Sequence, residues 1–400
     1  MNVKVFRGLA VLFVLTAVLP LSANEVTAVW GRLYGRASTV DHKLAIMQSI
    51  VEQHDRDMIP VLTSALDEQV RNLNNQRSTT EQTQTYELIK MIVKELGRLK
   101  ASQAATYTWE VVEAVDDPFL KGEAVIALGK MGARQYAGQM ATMLRNLNFN
   151  YDEIENQRAN EVFAYALVLA LERLKAEEGY EPIFFASMGW YSSLSGVKER
   201  AKQALSVIVE DPTQQLHSIM ENNERYSVKT AALDAGLASQ APDEAKASLA
   251  TFALQEGLRY TAKDGIEKRE LKSLRLSALR AIGALQTKEP AAVEPMQSML
   301  IGYQTNRIYE EDTMLTLLDA MGGFQDDEVA KALAFFLSYQ TERRQYGASD
   351  SLRIAKATIQ ALGSTGSSAG FEALTMVTVS EFWEGSVRRE AKAALQKLNP

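Results

Sequence analysis

The chain of 400 residues contains no cysteine. It therefore has no disulfide, no thiolate metal ligand and no N-terminal thiol to which a lipid could be attached. Histidine is also scarce, with three residues in the whole chain. Beyond the first 23 residues no apolar run resembles a membrane span, which needs about 20 residues. These absences direct attention to patterns of apolar residues rather than to single reactive side chains.

The first 23 residues differ from the rest of the chain. Lys4 and Arg7 precede an apolar run that ends in small residues at Ala23. A basic region, a short apolar run and a small-residue end are typical of a secretory signal peptide. We predict that residues 1–23 are a signal peptide cleaved after Ala23, and that the mature protein of residues 24–400 is periplasmic. An uncleaved segment anchored in the inner membrane is the alternative.

Acidic residues outnumber basic ones by 50 to 43, which gives a net charge of −7. Loss of the signal peptide removes Lys4 and Arg7 and makes the mature chain more acidic. Nucleic-acid binding needs a concentrated basic face, so we expect no nucleic-acid partner.

The most informative pattern is an apolar signature that recurs along the mature chain. Each copy has mostly small or apolar residues eight, four and one positions before an anchor residue and three positions after it. A period of 3.6 residues puts these positions on one stripe of a helix, and alanine at a fixed place in the stripe lets a neighbouring helix come close. The anchors are Leu96, Leu128, Leu171, Leu205, Gly236, Ile282, Met321, Leu362 and Leu395.

Successive anchors lie between 31 and 46 residues apart, which leaves room for one further helix and two turns. We therefore predict an all-α protein: an α-solenoid of about nine helical hairpins, forming one repeat domain over residues 24–400. No alternation of apolar and polar residues predicts a strand. We expect the second helices to end at glycines, which adopt the left-handed conformation easily: Gly97, Gly129, Gly132, Gly283, Gly322 and Gly363.

Some hairpins carry a more specific motif. Second helices of the form Val-Lys/Arg-x-x-Ala-x-x-Ala-Leu occur at 197–205 and 387–395, and a first helix with an early proline occurs at 59–62. Such pairs resemble HEAT repeats. The resemblance implies a right-handed superhelix and a scaffolding or protein-binding role, without naming a ligand. The basic position of the motif is kept as Lys121, Lys198, Lys229, Arg275 and Arg388.

Polar stretches separate the two helices of several hairpins, at residues 72–83, 148–157, 258–270, 303–311 and 339–350. Because they occupy the same turn of the hairpin, stacking predicts that they emerge from one edge. Tyrosine and arginine, which are favoured in binding hot spots, recur in them. We predict that this edge contacts a protein partner through Arg259, Tyr260, Tyr303, Arg307, Tyr309, Tyr339, Arg343, Arg344 and Tyr346. Alternatively, these loops derive from duplicated units and their tyrosines only cover helix ends.

A catalytic constellation is not evident. His42, His54 and His217 lie in separate units without the spacing of a helical zinc site, so we expect surface or helix-end residues. Residues 366–370 satisfy the pattern Gly-x-Ser-x-Gly, but a nucleophile elbow follows a strand, whereas this segment is predicted to follow a helix.

The sequence thus predicts a periplasmic HEAT-repeat scaffold or adaptor that binds protein partners, is not an enzyme and uses no cofactor. Two alternatives stay open. One is an unfamiliar enzyme or a lyase-like chaperone for a prosthetic group, since HEAT-like repeats also occur in bilin lyases. The other is a structural spacer of the cell envelope that associates with itself. The partner's identity stays open, as does the choice between the concave face and the loop edge as its binding surface.

Overall fold

The computed structural model describes residues 23–73, 78–150, 156–306, 309–348 and 351–398. Within these ranges the chain forms 20 α-helices and no β-strand, which confirms the all-α prediction. None of these helices is long and apolar enough to cross a membrane. The predicted signal peptide, apart from Ala23, lies outside the described residues.

The chain divides into two compact units, and the division passes through the seventh helix. Unit 1 takes residues up to 143 and residues 150–174. Its helices are α1 (Ala23–Arg36), α2 (Val40–Gln53), α3 (Ile59–Arg71), α4 (Thr79–Arg98), α5 (Ala105–Ala114), α6 (Pro118–Met131), the start of α7 (Ala137–Phe149) and α8 (Gln157–Leu174).

Unit 2 takes residues 144–149 and those from 175 onward. It contains the end of α7 and then the helices α9 (Tyr180–Met188), α10 (Val197–Ile208), α11 (Thr213–Glu221), α12 (Tyr226–Ala238), α13 (Asp243–Arg259), α14 (Gly265–Ala284), α15 (Val293–Asn306), α16 (Glu311–Gly322), α17 (Asp327–Gln345), α18 (Leu352–Ser364), α19 (Phe371–Val379) and α20 (Gly385–Leu398).

Every anchor of the apolar signature lies on an even-numbered helix between α4 and α20. Leu96, Leu128, Leu171 and Leu362, for example, have no solvent exposure. Even-numbered helices pack on one another in sequence order, α4 on α6 and α6 on α8 in unit 1, and α12 through α20 in unit 2. Most also pack on the odd-numbered helix before them, as in the pairs α5–α6 and α13–α14. This alternation is the packing of a helical repeat protein.

All six of these glycines lie within two residues of the end of an even-numbered helix, but the predicted left-handed conformation is wrong for five of them. Among the six, only Gly132 has a left-handed backbone, with φ of 76°. Gly97 and Gly129 instead lie within α4 and α6 and face the next even-numbered helix. A Cβ atom built on Gly97 would lie 2.8 Å from the Cα atom of Ala127. The bare glycine therefore lets the two backbones approach more closely than any side chain would allow.

The same contact recurs in both units. A Cβ atom on Gly129 would lie 2.9 Å from the Cα atom of Ala170. In each case the alanine lies one position before the next anchor of the signature. The equivalent pairs in unit 2 are Gly283 with Ala320, Gly322 with Ala361 and Gly363 with Ala394. We call these five pairs the glycine–alanine contacts.

Polar side chains fix the ends of several helices. The Oδ1 atom of Asp117 accepts hydrogen bonds from the first backbone N–H groups of α6, and Pro118 is its first residue. Asp264 and Asp326 cap α14 and α17 in the same way. At the other end of α14, the Nζ atom of Lys288 donates to three backbone carbonyls at 2.7–2.9 Å. Such caps satisfy groups that a helix leaves unpaired, and each N-cap contributes about 1 kcal/mol.

The glycine–alanine contacts predict that an added methyl group is costly. We expect Gly129→Ala to lower the free energy of unfolding by about 2–3 kcal/mol, because the new Cβ atom overlaps the backbone of Ala170. Gly138, exposed on α7, is the matched control, since a Cβ atom there meets nothing within 4 Å. Gly138→Ala should raise the free energy of unfolding by up to about 1 kcal/mol.

Urea denaturation of the two variants, followed by circular dichroism, measures both changes. Equal effects of Gly129→Ala and Gly138→Ala would show that the close approach does not hold the even-numbered helices together.

Candidate functional site

The polar stretches predicted between helices turn out to begin inside helices. The helix α15 continues to Asn306 and α17 continues to Gln345. Tyr303 and Tyr339 therefore stand on the last turns of helices rather than in loops. The connection between α13 and α14 is likewise shorter than predicted, at residues 260–264 instead of 258–270. Tyrosine, glutamine and arginine are compatible with a helix, so α17 continues through its polar stretch. It ends just before the chain turns at Gly347, which has a φ of 83°.

The predicted partner-binding residues stand at or near the ends of α13, α15 and α17 in unit 2. Arg307 lies outside the described residues. We call the eight others the tyrosine–arginine edge: Arg259, Tyr260, Tyr303, Tyr309, Tyr339, Arg343, Arg344 and Tyr346.

Tyr303 and Tyr339 pack on the same buried ring. Their ring centroids lie 6.0 Å and 6.5 Å from that of Phe336, which has no solvent exposure. The hydroxyl of Tyr339 donates a hydrogen bond of 2.9 Å to the carbonyl of Gln304, and the guanidinium of Arg343 lies 5.7 Å from the Tyr339 ring. These two tyrosines join α15 to α17, so they have a structural role whether or not a partner binds.

Arg344 is also held by its own chain. Its guanidinium lies 5.3 Å from the ring of Trp383, its Nε atom donates to the carbonyl of Phe382 at 3.3 Å, and Glu384 is 3.7 Å away. Trp383 is buried. Arg344 thus ties α17 to the turn before α20. Tyr346, two residues further along, is 85% exposed and is available to a partner.

Arg259 and Tyr260 lie beside a buried ion pair. Lys229 on α12 and Glu256 on α13 form this pair, and both residues are at most 5% exposed. The other carboxylate oxygen of Glu256 is 3.3 Å from an Nη atom of Arg259. The guanidinium of Arg259 in turn lies 5.4 Å from the ring of Tyr260, which is about half exposed. The ion pair therefore fixes where Arg259 leaves the end of α13.

Tyr309 lies against a residue that the sequence did not single out as a binding residue. The guanidinium of Arg275, on α14, is 5.4 Å from the Tyr309 ring, and its Nε atom donates to the carbonyl of Gly257 at 2.7 Å. Burial lowers the pKa of Arg275. Burial also raises the pKa of the Tyr309 hydroxyl, and Arg275 opposes that shift. In the sequence Arg275 is one of five residues at the basic motif position, and only its neighbours in space distinguish it.

The histidines and the Gly-x-Ser-x-Gly segment are separate features. The Nδ1 atom of His54 is 3.3 Å from a carboxylate oxygen of Glu95, and the ring of His217 packs at 4.5 Å on that of Phe252. Ser368 stands in a short turn between α18 and α19. Across the described ranges, no group of three or more histidine, aspartate or glutamate residues is placed to hold a metal ion.

Comparisons with known proteins assign no family. No family model matches the chain, and neither does any curated protein. Among solved structures, an engineered protein is similar to the chain at 14% sequence identity, over 93% of this chain and 99% of its own, with a TM-score of 0.34. A score this low carries no argument about fold or function.

The buried ion pair beside Arg259 should be important for stability. We expect Lys229→Met to lower the free energy of unfolding by about 2–4 kcal/mol, because the buried carboxylate of Glu256 loses its buried partner. Lys331→Met is the matched control. It breaks an ion pair of 2.8 Å with Glu328 in which both side chains are exposed, and it should change the free energy by less than about 0.5 kcal/mol. Chemical denaturation measures both values, and a loss no larger than that of the control would refute the prediction.

The packing of His217 predicts a pH effect. Burial lowers its pKa below the ordinary value of 6.5, and Glu221 opposes the shift. The unfolded chain therefore binds the proton more readily, so His217 makes the folded state less stable as the pH falls through 6.5. Glutamine does not titrate. The free energy of unfolding of the native protein, minus that of His217→Gln, should thus be lower at pH 5.5 than at pH 7.5. Urea denaturation at the two values tests this, and a constant difference would contradict it.

Proposed function

We propose that this protein is a periplasmic scaffold, non-catalytic, that binds other proteins. In this proposal residues 1–23 direct export. The helical hairpins are HEAT-like, number about nine and wind into a right-handed superhelix. The packing of even-numbered helices through small residues supports a repeat architecture. Repeat proteins of this kind use long rows of similar surfaces to hold partners.

One observation carries the binding proposal: tyrosine and arginine side chains gather at the ends of successive odd-numbered helices. Some are held in place by the core, as Tyr339 is by Phe336 and Gln304. Others are exposed, as Tyr260 and Tyr346 are. Aromatic and arginine groups that are already held in position lose little conformational entropy on binding, which favours affinity. The tyrosine–arginine edge has both components.

The structure also decides which variants can test the edge. Replacing Tyr303 or Tyr339 would disturb the packing on Phe336, so loss of binding could reflect misfolding. Tyr260 and Tyr346 are the better targets, since half or more of each side chain is exposed. Tyr165, on α8 in unit 1, is the matched control because it is a partly exposed tyrosine away from this edge.

The prediction concerns recovery of a partner from envelope extract. The native mature chain and the Tyr165→Ser variant should each recover the same protein. The double variant Tyr260→Ser, Tyr346→Ser should recover at least about tenfold less, since truncation of hot-spot tyrosines typically costs a factor of that size or more. Quantitative mass spectrometry of the captured proteins measures this, and circular dichroism confirms that all three chains are folded.

Equal recovery by all three chains would move the binding surface away from the edge. No specific partner with any of them would remove the support for the scaffold proposal and favour the enzyme or spacer alternatives.

A further inference from the structure

Arg275 is a charged residue, and only part of its guanidinium contacts other described residues. The Nε–H group donates to the carbonyl of Gly257, and the planar group lies against the ring of Tyr309. Among the described residues, no carboxylate lies within ion-pair distance of Arg275, and no protein group accepts a hydrogen bond from its two terminal nitrogens. Half-burial makes its positive charge costly, because no opposite charge offsets the lost water. The terminal N–H groups are therefore free to bind an anion.

Tyr226 and Tyr309 lie near this guanidinium, and Tyr260 lies near Tyr226. Tyr226 is 6% exposed, and it lies close enough to interact electrostatically with Arg275 and with Tyr260. The ring of Tyr309 lies 5.4 Å from the guanidinium. In the described part of the chain, the hydroxyls of Tyr226, Tyr260 and Tyr309 make no hydrogen bond to a protein group. A phenol hydroxyl can donate to an anion, and burial raises the pKa of Tyr226, so that it keeps its proton.

Three carboxylates near the cluster each have a partner other than Arg275. Glu256 is paired with Lys229 and Arg259. Glu267 accepts the backbone N–H of Lys263 at 2.7 Å, and Glu270 accepts that of Ser227 at 3.2 Å. They lower the local positive charge without reaching Arg275. The free donors of the site therefore suit one anionic group at a time.

We propose that Arg275, together with Tyr226, Tyr260 and Tyr309, forms a recognition site for the carboxylate of a glutamate or aspartate in an acidic segment of the protein partner. The guanidinium fork of Arg275 donates to the two carboxylate oxygens, and the phenol hydroxyls supply further donors. The inference rests on the proposed scaffold function and names the chemistry of its partner. It adds Arg275 and Tyr226, on α14 and α12, to the residues of the edge.

The probe that tests this site is an acetylated, amidated hexapeptide of glutamate with a fluorescent label, and its glutamine counterpart is the control peptide. Anisotropy titrations use the full mature chain at low salt, because screening weakens exposed electrostatic contacts. We expect saturable binding of the glutamate peptide and at least about tenfold weaker binding of the glutamine peptide, since charge-assisted hydrogen bonds are roughly twice as strong as neutral ones.

Three variants separate the site from general electrostatics. Arg275→Gln should weaken binding at least about tenfold, because it removes the charged fork. Arg280→Gln is the matched control, since it removes the same charge from an exposed position on α14 and should leave binding unchanged. Tyr226→Phe removes only a hydroxyl that makes no protein hydrogen bond. It should weaken binding by about threefold to tenfold without lowering the free energy of unfolding, a combination that a purely structural tyrosine would not give.

Three results would overturn the proposal: no saturable binding of the glutamate peptide to the native chain, equal weakening by Arg275→Gln and Arg280→Gln, or displacement of the peptide by inorganic phosphate at a lower concentration than by acetate. Displacement by phosphate at the lower concentration would assign the site to phosphate.

Failure of the carboxylate site is distinct from failure of the scaffold function. Capture of a partner by a native chain to which the glutamate peptide does not bind would leave the scaffold in place and remove only the carboxylate site.

Discussion

The structure depends on the close approach of neighbouring even-numbered helices at their glycine–alanine contacts. Gly97 and Gly129 have no side chain, and the backbones of Ala127 and Ala170 occupy the space that one would need. Contact between backbones leaves no rotamer to adjust, so the spacing of the two helices is set by covalent geometry and not by side-chain packing. The buried leucine anchors next to these contacts then supply the apolar area that holds the helices together.

This arrangement leaves the ends of the odd-numbered helices free to vary. Where α13, α15 and α17 end, the chain carries long polar and aromatic side chains, and each has a local fastening. Phe336 holds Tyr339, Trp383 lies against Arg344, and the ion pair of Lys229 with Glu256 fixes the position of Arg259. The close backbone contacts thus lie between even-numbered helices, whereas most residues of the tyrosine–arginine edge lie at the ends of odd-numbered ones.

The sequence predicted the even-numbered helices because their period of 3.6 residues is visible without any knowledge of neighbours. It failed at Gly97 and Gly129, since glycine serves both to end helices and to admit a second backbone, and only the helix opposite decides between these uses. Tyr303 and Tyr339 were placed in loops because polar residues followed them, although α15 continues to Asn306 and no helix-breaking residue follows Tyr339 before Gly347. Arg275 could not be singled out, because Gly257 and Tyr309 become its neighbours only after α13, α14 and the segment before α16 have packed.

The glycine–alanine contacts also bear on the order in which the chain can fold. Each joins one even-numbered helix to the next in the sequence, as Gly322 on α16 is joined to Ala361 on α18. The loop that must close is short, so its entropic cost is small and does not grow with the length of the protein. Low contact order of this kind favours fast folding. Within each unit, a hairpin can therefore dock on its predecessor as soon as it leaves the ribosome, before the rest of the unit has been synthesised.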